Sequence, residues 1–323
     1  MLKHLFRPAN TLEERDFERA NVEAKRKRYL ETNPLERFES DPPYREKVTG
    51  IKDCLGKVNG LILDIGGNTA GEATILEQLG YQFVVGDINE TALDISRERV
   101  EKFKLKKPYY VALDAHNLPF HDASFSAVTI IEALHHLRSY PQALGEIHRV
   151  LKPGGRLVST EPNALDPLRR LSEIRDRFRG TIEKSFYVSQ LKGLCSEAGF
   201  EHVDVRPVAR GKSIWKLAEV PLYRRPVARF HGWLSENYPR TFGSLLIEAQ
   251  KAGTLLDEEV TATDFERIMR SPTSHRAIQY DPKLNLWVEA SGKLGFPNHN
   301  GIPVLISTDA VALEDLTAHS TRS

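Results

Sequence analysis

The segment Leu-Ile-Leu-Asp-Ile-Gly-Gly-Asn-Thr-Ala-Gly at 61–71 constrains this chain more than any other. Its short apolar run reads as a buried strand, and the glycines that follow force the backbone to turn tightly where the strand ends. The acid comes before the glycines. A carboxylate at Asp64 binds an ammonium or a hydroxyl, whereas a pyrophosphate on that loop would be repelled by it. The loop also lacks the middle glycine of the dinucleotide fingerprint, having Asn68 between Gly66 and Gly71.

From Gly60 onward strand and helix patterns alternate. Apolar runs at 61–65, 82–86, 109–113, 126–131 and 156–160 are separated by helical stretches near 72–79, 90–104, 139–150 and 187–198. Continuous apolar strands between amphipathic helices predict a parallel sheet covered on both faces. Lys152-Pro153-Gly154-Gly155 stops one helix and launches a strand, and two later strands are expected at 201–207 and 243–250.

In such a sheet ligands bind at the carboxyl ends of the strands, near the reversal of strand order. Four strand ends carry suitable chemistry. Asp64 precedes Gly66 and Gly67; Asp87, followed by Ile88, stands about two dozen residues on, where a carboxylate holds the two hydroxyls of a ribose. Asp114, followed by Ala115, is placed to accept from an adenine amino group. Glu132, His135 and His136 face the same crevice from the fourth strand. Any one of these acids also suits a helix cap or a turn; three at successive strand ends point together to a nucleoside.

With these motifs in place the chain resembles the class I S-adenosylmethionine-dependent methyltransferases, in particular the small-molecule branch of ubiquinone and menaquinone biosynthesis. The resemblance rests on residues 63–71, 85–89, 114–120, 122–128, 132–137 and 146–157 and spans roughly 44–251. It implies a doubly wound, mostly parallel, seven-stranded α/β sheet and S-adenosyl-L-methionine as cofactor. It places Asp64 and Gly66, with Gly67 and Asn68, beside the methionine moiety, Asp87 and Ile88 at the ribose, Asp114 and Ala115 at the adenine, and Glu132 in the same cradle. Asn68 and Ala70 replace glycines common in that loop, which a slightly different loop path would accommodate. Ser126 replaces a frequent aspartate at a structural position.

Methyl transfer needs alignment and exclusion of water. An oxygen acceptor that is not acidic also needs a base, for which His135, His136 and Glu161 are the candidates. The bland alternative has one histidine capping or packing and the other facing solvent.

The flanks carry other information. Residues 1–43 read as a charged helical arm, with Leu12, Phe17, Ala20 and Ala24 as one docking stripe and Lys25-Arg26-Lys27-Arg28 as a solvated face. The methyltransferase domain is expected over 44–254. Within it an insertion at 208–242 interleaves aromatics (Trp215, Tyr223, Phe230, Trp233, Tyr238) with arginines and lysines, which suits a phosphate-bearing or membrane-surface partner or else an ordinary helical lid. A small α+β appendage at 255–312 resembles the zinc-ribbon-like activator subunit of tRNA and protein methyltransferases. Ser271 and Ser274 occupy its cysteine positions, and no cysteine follows Cys195, so no thiolate zinc site forms. His275 and His299 are expected at the surface, and residues 313–323 as a disordered tail.

The formal net charge is +1, and two distant cysteines, Cys54 and Cys195, fit packed thiols in a reducing cytoplasm. No leader pattern opens the chain, and no apolar run approaches the ~18 residues of a membrane span. The expected function is methyl transfer in the cytoplasm, at or near the inner membrane surface, to a small or lipid-linked acceptor, with a sugar hydroxyl slightly favoured. A tRNA-modifying enzyme with its activator in cis and a non-catalytic cofactor-binding scaffold are the alternatives.

Overall fold

The apolar runs become strands whose alternate side chains feed two cores. A computed structural model describes residues 11–178, 184–209, 225–255 and 262–314. The strands are β1 (Leu61–Ile65), β2 (Gln82–Asp87), β3 (Tyr109–Leu113), β4 (Phe125–Ile131), β5 (Leu151–Pro162), β6 (Phe200–Val208) and β7 (Ser244–Lys251). They lie in the order β6-β7-β5-β4-β1-β2-β3. β3, β2, β1, β4 and β5 run parallel, while β7 is antiparallel to both β5 and β6. Strand order reverses between β1 and β4, so the crevice opens above the ends of those two strands.

Along β1, Leu61, Leu63 and Ile65 enter one core and Ile62 the other. The helices cover these faces. Helix α7 (Tyr140–Val150) packs Leu144, Ile147 and Val150 into the first core, and α4 (Pro42–Leu55) and α5 (Gly71–Gln78) pack Val48, Ile51, Ile75 and Leu76 into the second. Helix α6 (Glu90–Lys102) is capped by Asn89, whose side chain accepts from the Thr91 N–H at 3.1 Å. The Lys-Pro-Gly-Gly turn is held within β5: Phe125 pairs with Leu151 and Ala127 with Arg156, so the turn bulges out of the ladder. Gly154 is in the left-handed region there, and a Cβ on it would fall 2.3 Å from the Leu255 amide.

The N-terminal arm forms α1 (Thr11–Ala24), α2 (Arg26–Glu31) and α3 (Pro34–Ser40) before α4. It docks through a different face from the expected stripe. Ala20 and Ala24 are exposed, whereas Arg15 and Val22 are buried; the Leu12 and Phe17 side chains lie outside the described residues. Charge sets this face. Arg15 reaches Glu90 at 3.0 Å and Asp309 at 2.8 Å, Arg19 pairs with Glu90 and Arg26 with Glu98, all but Asp309 along α6. A sequence stripe of small apolar residues competes poorly with an arginine flanked by two carboxylates.

The C-terminal segment is the larger departure. Helix α12 (Ala262–Ile268) is followed by β8 (Ile278–Asp281), β9 (Leu286–Glu289), β10 (Leu294–His299), β11 (Ile302–Leu305) and β12 (Val311–Ala312). β11 pairs in parallel with β3, Val304 opposite Ala112 and Leu305 opposite Leu113, and the sheet runs on through β10, β9 and β8 to twelve mixed strands. Phe265, Met269, Trp287, Phe296 and Leu305 belong to the first core, and the Phe265 ring stacks on Tyr109 at 4.6 Å. The expected appendage therefore continues the sheet, because the open edge of β3 is a template for another strand.

At the serine positions the side chains form a hydrogen-bonded knot. The Ser274 and Ser291 hydroxyls donate to the two oxygens of Glu289 at 2.5 Å each, and Ser271 Oγ accepts from the Thr273 and Ser274 amides. Among the described residues no cluster of metal-ligating side chains forms. His275 and His299 are exposed. The proposed disordered tail lies outside the described residues from 315 on, as do Arg210, Lys212, Trp215, Lys216, Tyr223 and Arg224 of the insertion. What is described of the insertion is α10 (Arg225–Asn237) and a short α11 (Pro239–Phe242). No helix among the described residues is long and apolar enough to cross a membrane.

Candidate active site

The carboxyl ends of β1 to β4 meet at a cavity of about 990 Å³. The turn after β1 is built by close approach. The Gly66 and Gly67 amides donate to the Gly86 carbonyl at 2.8 and 3.2 Å. Cβ atoms at these glycines would lie 2.5 Å from the Ala133 Cβ and 2.6 Å from Val85 respectively. Asn68 and Ala70 keep glycine-like backbone, with φ of 47° and 52°. Both residues thus take the left-handed backbone that a glycine would adopt without strain, which costs about 1–2 kcal/mol at Ala70 and less at Asn68.

Asp64 lies just beneath this loop and, unlike Gly66, Gly67, Asn68, Asp87 and Asp114, does not itself line the cavity. It is buried, accepts from Thr129 Oγ1 at 2.6 Å, and a Cβ on Gly67 would touch its other oxygen at 2.7 Å. Burial pushes its carboxyl up to about 7, against the Thr129 hydrogen bond and helped by the charges of Glu72 and Asp87. The two upper carboxylates are already organised. Asp87 accepts from the Asn68 amide at 2.8 Å and the Asn89 amide at 2.9 Å, so it ties the glycine loop to the end of β2. Asp114 accepts from the His116 amide at 2.9 Å and the ring Nδ1 at 2.7 Å. Burial would raise Asp114, but the His116 bonds and Arg138 at 3.5 Å outweigh it and hold the carboxyl below its ordinary value. Ile88 and Ala115 complete these two walls of the cavity.

At the fourth strand end, Glu132 lines the cavity with φ 53°, its amide donating to the Thr160 carbonyl at 2.8 Å. The three acid/base candidates separate. His136 lines the cavity; His135 and Glu161 lie behind it, both buried and joined Nδ1 to Oε2 at 2.7 Å. Glu161 also accepts from the Leu134 and His135 amides at 2.9 and 3.2 Å, so it organises the turn that presents His136. Its carboxyl is pushed up to about 8, first by burial and further by the Glu132 charge. The crevice expected to receive both histidines receives one: the two rings of the short 3-10 turn 134–136 pack on each other with centroids 4.0 Å apart, His136 at the cavity and His135 buried behind it.

The arm supplies residues that the sequence did not announce. Arg28, Tyr29 and Arg37, with Tyr44 and Lys47 of α4, line the cavity. Lys47 pairs with Glu72 at 2.8 Å, clamping α4 to the first turn of α5, and Arg37 stacks over the Tyr44 ring at 3.9 Å. Arg99 hydrogen-bonds the Thr69 carbonyl from below the loop. Ile131, Leu137, Val208, Ala209 and Leu246 are apolar residues of the lining contributed by the ends of β4, β6 and β7. Only the basic character of the arm was visible in sequence; that Lys25–Arg28 is not wholly solvated follows from the Arg26–Glu98 pair and from Arg28 at the cavity.

These groups fit S-adenosylmethionine on their own chemistry. A row of carboxylates faces a cavity beside backbone that admits no side chain, and the acids suit a cationic ligand bearing ribose hydroxyls and an amine. Comparison with known proteins agrees. The sequence model described as a methyltransferase domain matches residues 63–159. A demethylmenaquinone methyltransferase of Thermus thermophilus is 37% identical over 136 residues, 42% of this chain and 60% of that one. The chain therefore spans less than two thirds of that relative's length. A ubiquinone/menaquinone biosynthesis C-methyltransferase of Yersinia pestis is 32% identical over 177 residues, 47% of this chain and 70% of the relative. The fold is also that of Haemonchus contortus phosphoethanolamine N-methyltransferase 2 solved with S-adenosyl-L-methionine, with a TM-score of 0.50, 19% identity, and coverage of 64% of this chain and 52% of that one. With this cradle and these relatives, the chain belongs to the S-adenosylmethionine-dependent methyltransferases.

Proposed function

We propose that this chain transfers a methyl group from S-adenosylmethionine to a small, largely apolar acceptor, one that is lipid-linked or quinone-like. The observation that carries the reading is one cavity joining two chemistries. Asp87 and Asp114 line it from the ends of β2 and β3, Val208 and Leu246 from β6 and β7 on the far side of β1 in the sheet, and Ile131, Glu132 and Leu137 from the end of β4 between them. The cofactor supplies an electrophilic methyl on a sulfonium. Asp87 holds the ribose, Asp114 with Ala115 the adenine edge, and the loop Gly66-Gly67-Asn68 over Asp64 the methionine portion. The arm covers the cavity and keeps water from it. The relatives named for quinone methylation support an acceptor with a ring and an apolar tail. A sugar hydroxyl on a lipid would use the same apolar residues, with His136 as the base.

The test is to incubate the purified chain with methyl-labelled S-adenosylmethionine and a lysate, then separate lipid, small-molecule and RNA fractions. Label in the lipid or small-molecule fraction is the expected result. Label confined to RNA overturns the acceptor, and failure to bind the cofactor in calorimetry overturns the whole reading.

A further inference from the structure

Helix α10 is built inside out for a helix bathed in water. Its buried positions are Gly232 and Ser235, while Val227, Phe230 and Trp233 are 60%, 58% and 43% exposed. At helical spacing these three share the face opposite Gly232 and Ser235. The Phe230 and Trp233 rings stack at 5.9 Å, and Tyr238, also exposed, meets Trp233 edge-on at 6.1 Å. A surface helix normally turns its large apolar residues inward. Here the buried residues of α10 are small, and the aromatic residues are left outside.

The patch extends beyond one helix. His231 Nε2 and Asp166 Oδ2 lie 2.6 Å apart, which fixes α10 to the start of α8 (Pro167–Phe178) beside exposed Leu165. Asn163 donates to the Arg240 carbonyl at 3.0 Å, which fixes α11 to the end of β5. The whole group sits on one sheet edge. Ser244 pairs with both Pro162 and Val208, so the ends of β5 and β6 open on the same side as α10 and α11. Val208, Ala209 and Ser244 are also cavity walls.

We propose that α10, with Leu165 and α11, is a docking surface for an anionic lipid bilayer. Its charge selects this occupant: Arg225, Arg229 and Arg240 flank the aromatic residues, and Glu236 is the one acid on the two helices. Aromatic and aliphatic side chains enter the acyl boundary while arginines meet lipid phosphates. A second protein copy would instead need an acidic apolar face to meet these arginines. Seated this way, the molecule lies with the Val208, Ala209 and Ser244 side of the cavity toward the bilayer. The inference does not need the methyl-transfer reading, since the surface stands on its own chemistry.

Co-sedimentation of the full chain with vesicles of phosphatidylcholine and phosphatidylglycerol, against phosphatidylcholine alone, tests it. Binding to the anionic vesicles is expected. It should fall roughly thirtyfold in an Arg229→Gln/Arg240→Gln variant, two interfacial positive charges being removed, and be lost in Phe230→Ser/Trp233→Ser. Brominated lipids should quench part of the tryptophan emission of the wild type and less of that of Trp233→Phe. Unchanged affinity for S-adenosylmethionine in each variant shows that it is folded. Absence of wild-type binding, or equal binding by wild type and variants, overturns the proposal. So does a dimer, seen by sedimentation velocity, that the same substitutions dissolve without any vesicle dependence.

Discussion

Single residues in this site divide between those that meet a ligand and those that hold another residue in place. Asp64 has a carboxyl raised to about 7 by burial. A folded-state value above the unfolded one means that its contribution to stability is present at low pH and lost as pH rises from about 4 through about 7. The ligand-free chain should therefore melt lower at pH 8 than at pH 5.5, and Asp64→Asn should flatten that difference in thermal melts. Binding of a cation beside Asp64 runs the other way. Affinity for S-adenosylmethionine should rise with pH over the same window, with proton release visible when calorimetry is repeated in buffers of different ionisation enthalpy. Asp64→Asn should weaken binding at pH 8 by about tenfold, since Asp64 does not line the cavity and acts on the ligand as a buried charge from beneath the loop. His136 and Glu161 are separated by a different experiment. If an acceptor hydroxyl is deprotonated, His136→Ala should lower kcat by about a hundredfold or more with cofactor affinity intact. Glu161→Gln should act mainly on stability, since Glu161 does not line the cavity.

Among the elements, the arm is the one whose attachment is most testable. Arg15 is buried between Glu90 and Asp309, so Arg15→Ala leaves two carboxylates without their shared cation and should cost about 3 kcal/mol. Limited proteolysis should then cut within residues 11–40 faster than in the wild type. In the C-terminal strands, Glu289→Ala removes the acceptor of two serine hydroxyls in a largely buried knot. A loss of about 1–3 kcal/mol is expected, with hydrogen exchange accelerating first in β8 to β10. The strands of the first half were legible because each is a bounded apolar run, and Asp87 and Asp114 because they end such runs. The docking face of the arm was not, since an arginine stripe reads as solvated until its carboxylate partners at 90 and 309 are brought near. Nor was the pairing of β11 with β3: strand partners nearly two hundred residues apart leave no local mark in the sequence.

For the molecule as a whole, a mixed sheet of twelve strands joins the cofactor edge to the C-terminal segment in one continuous ladder. The arm lines the cavity, as do Val208, Ala209 and Ser244 at either end of the insertion, whereas the C-terminal strands extend the sheet beyond β3 without lining it. That arrangement bears on the order in which the chain is made. β3 carries Asp114 at its end, and its outer edge stays bare until residues 302–305 have been synthesised. During translation the nucleoside-binding half can form its strands early, yet it exposes an unpaired edge for the time taken to add nearly two hundred more residues. Such an edge invites wrong partners. The strand that covers the edge next to Asp114 is thus also the one that ends the chain's most vulnerable stage.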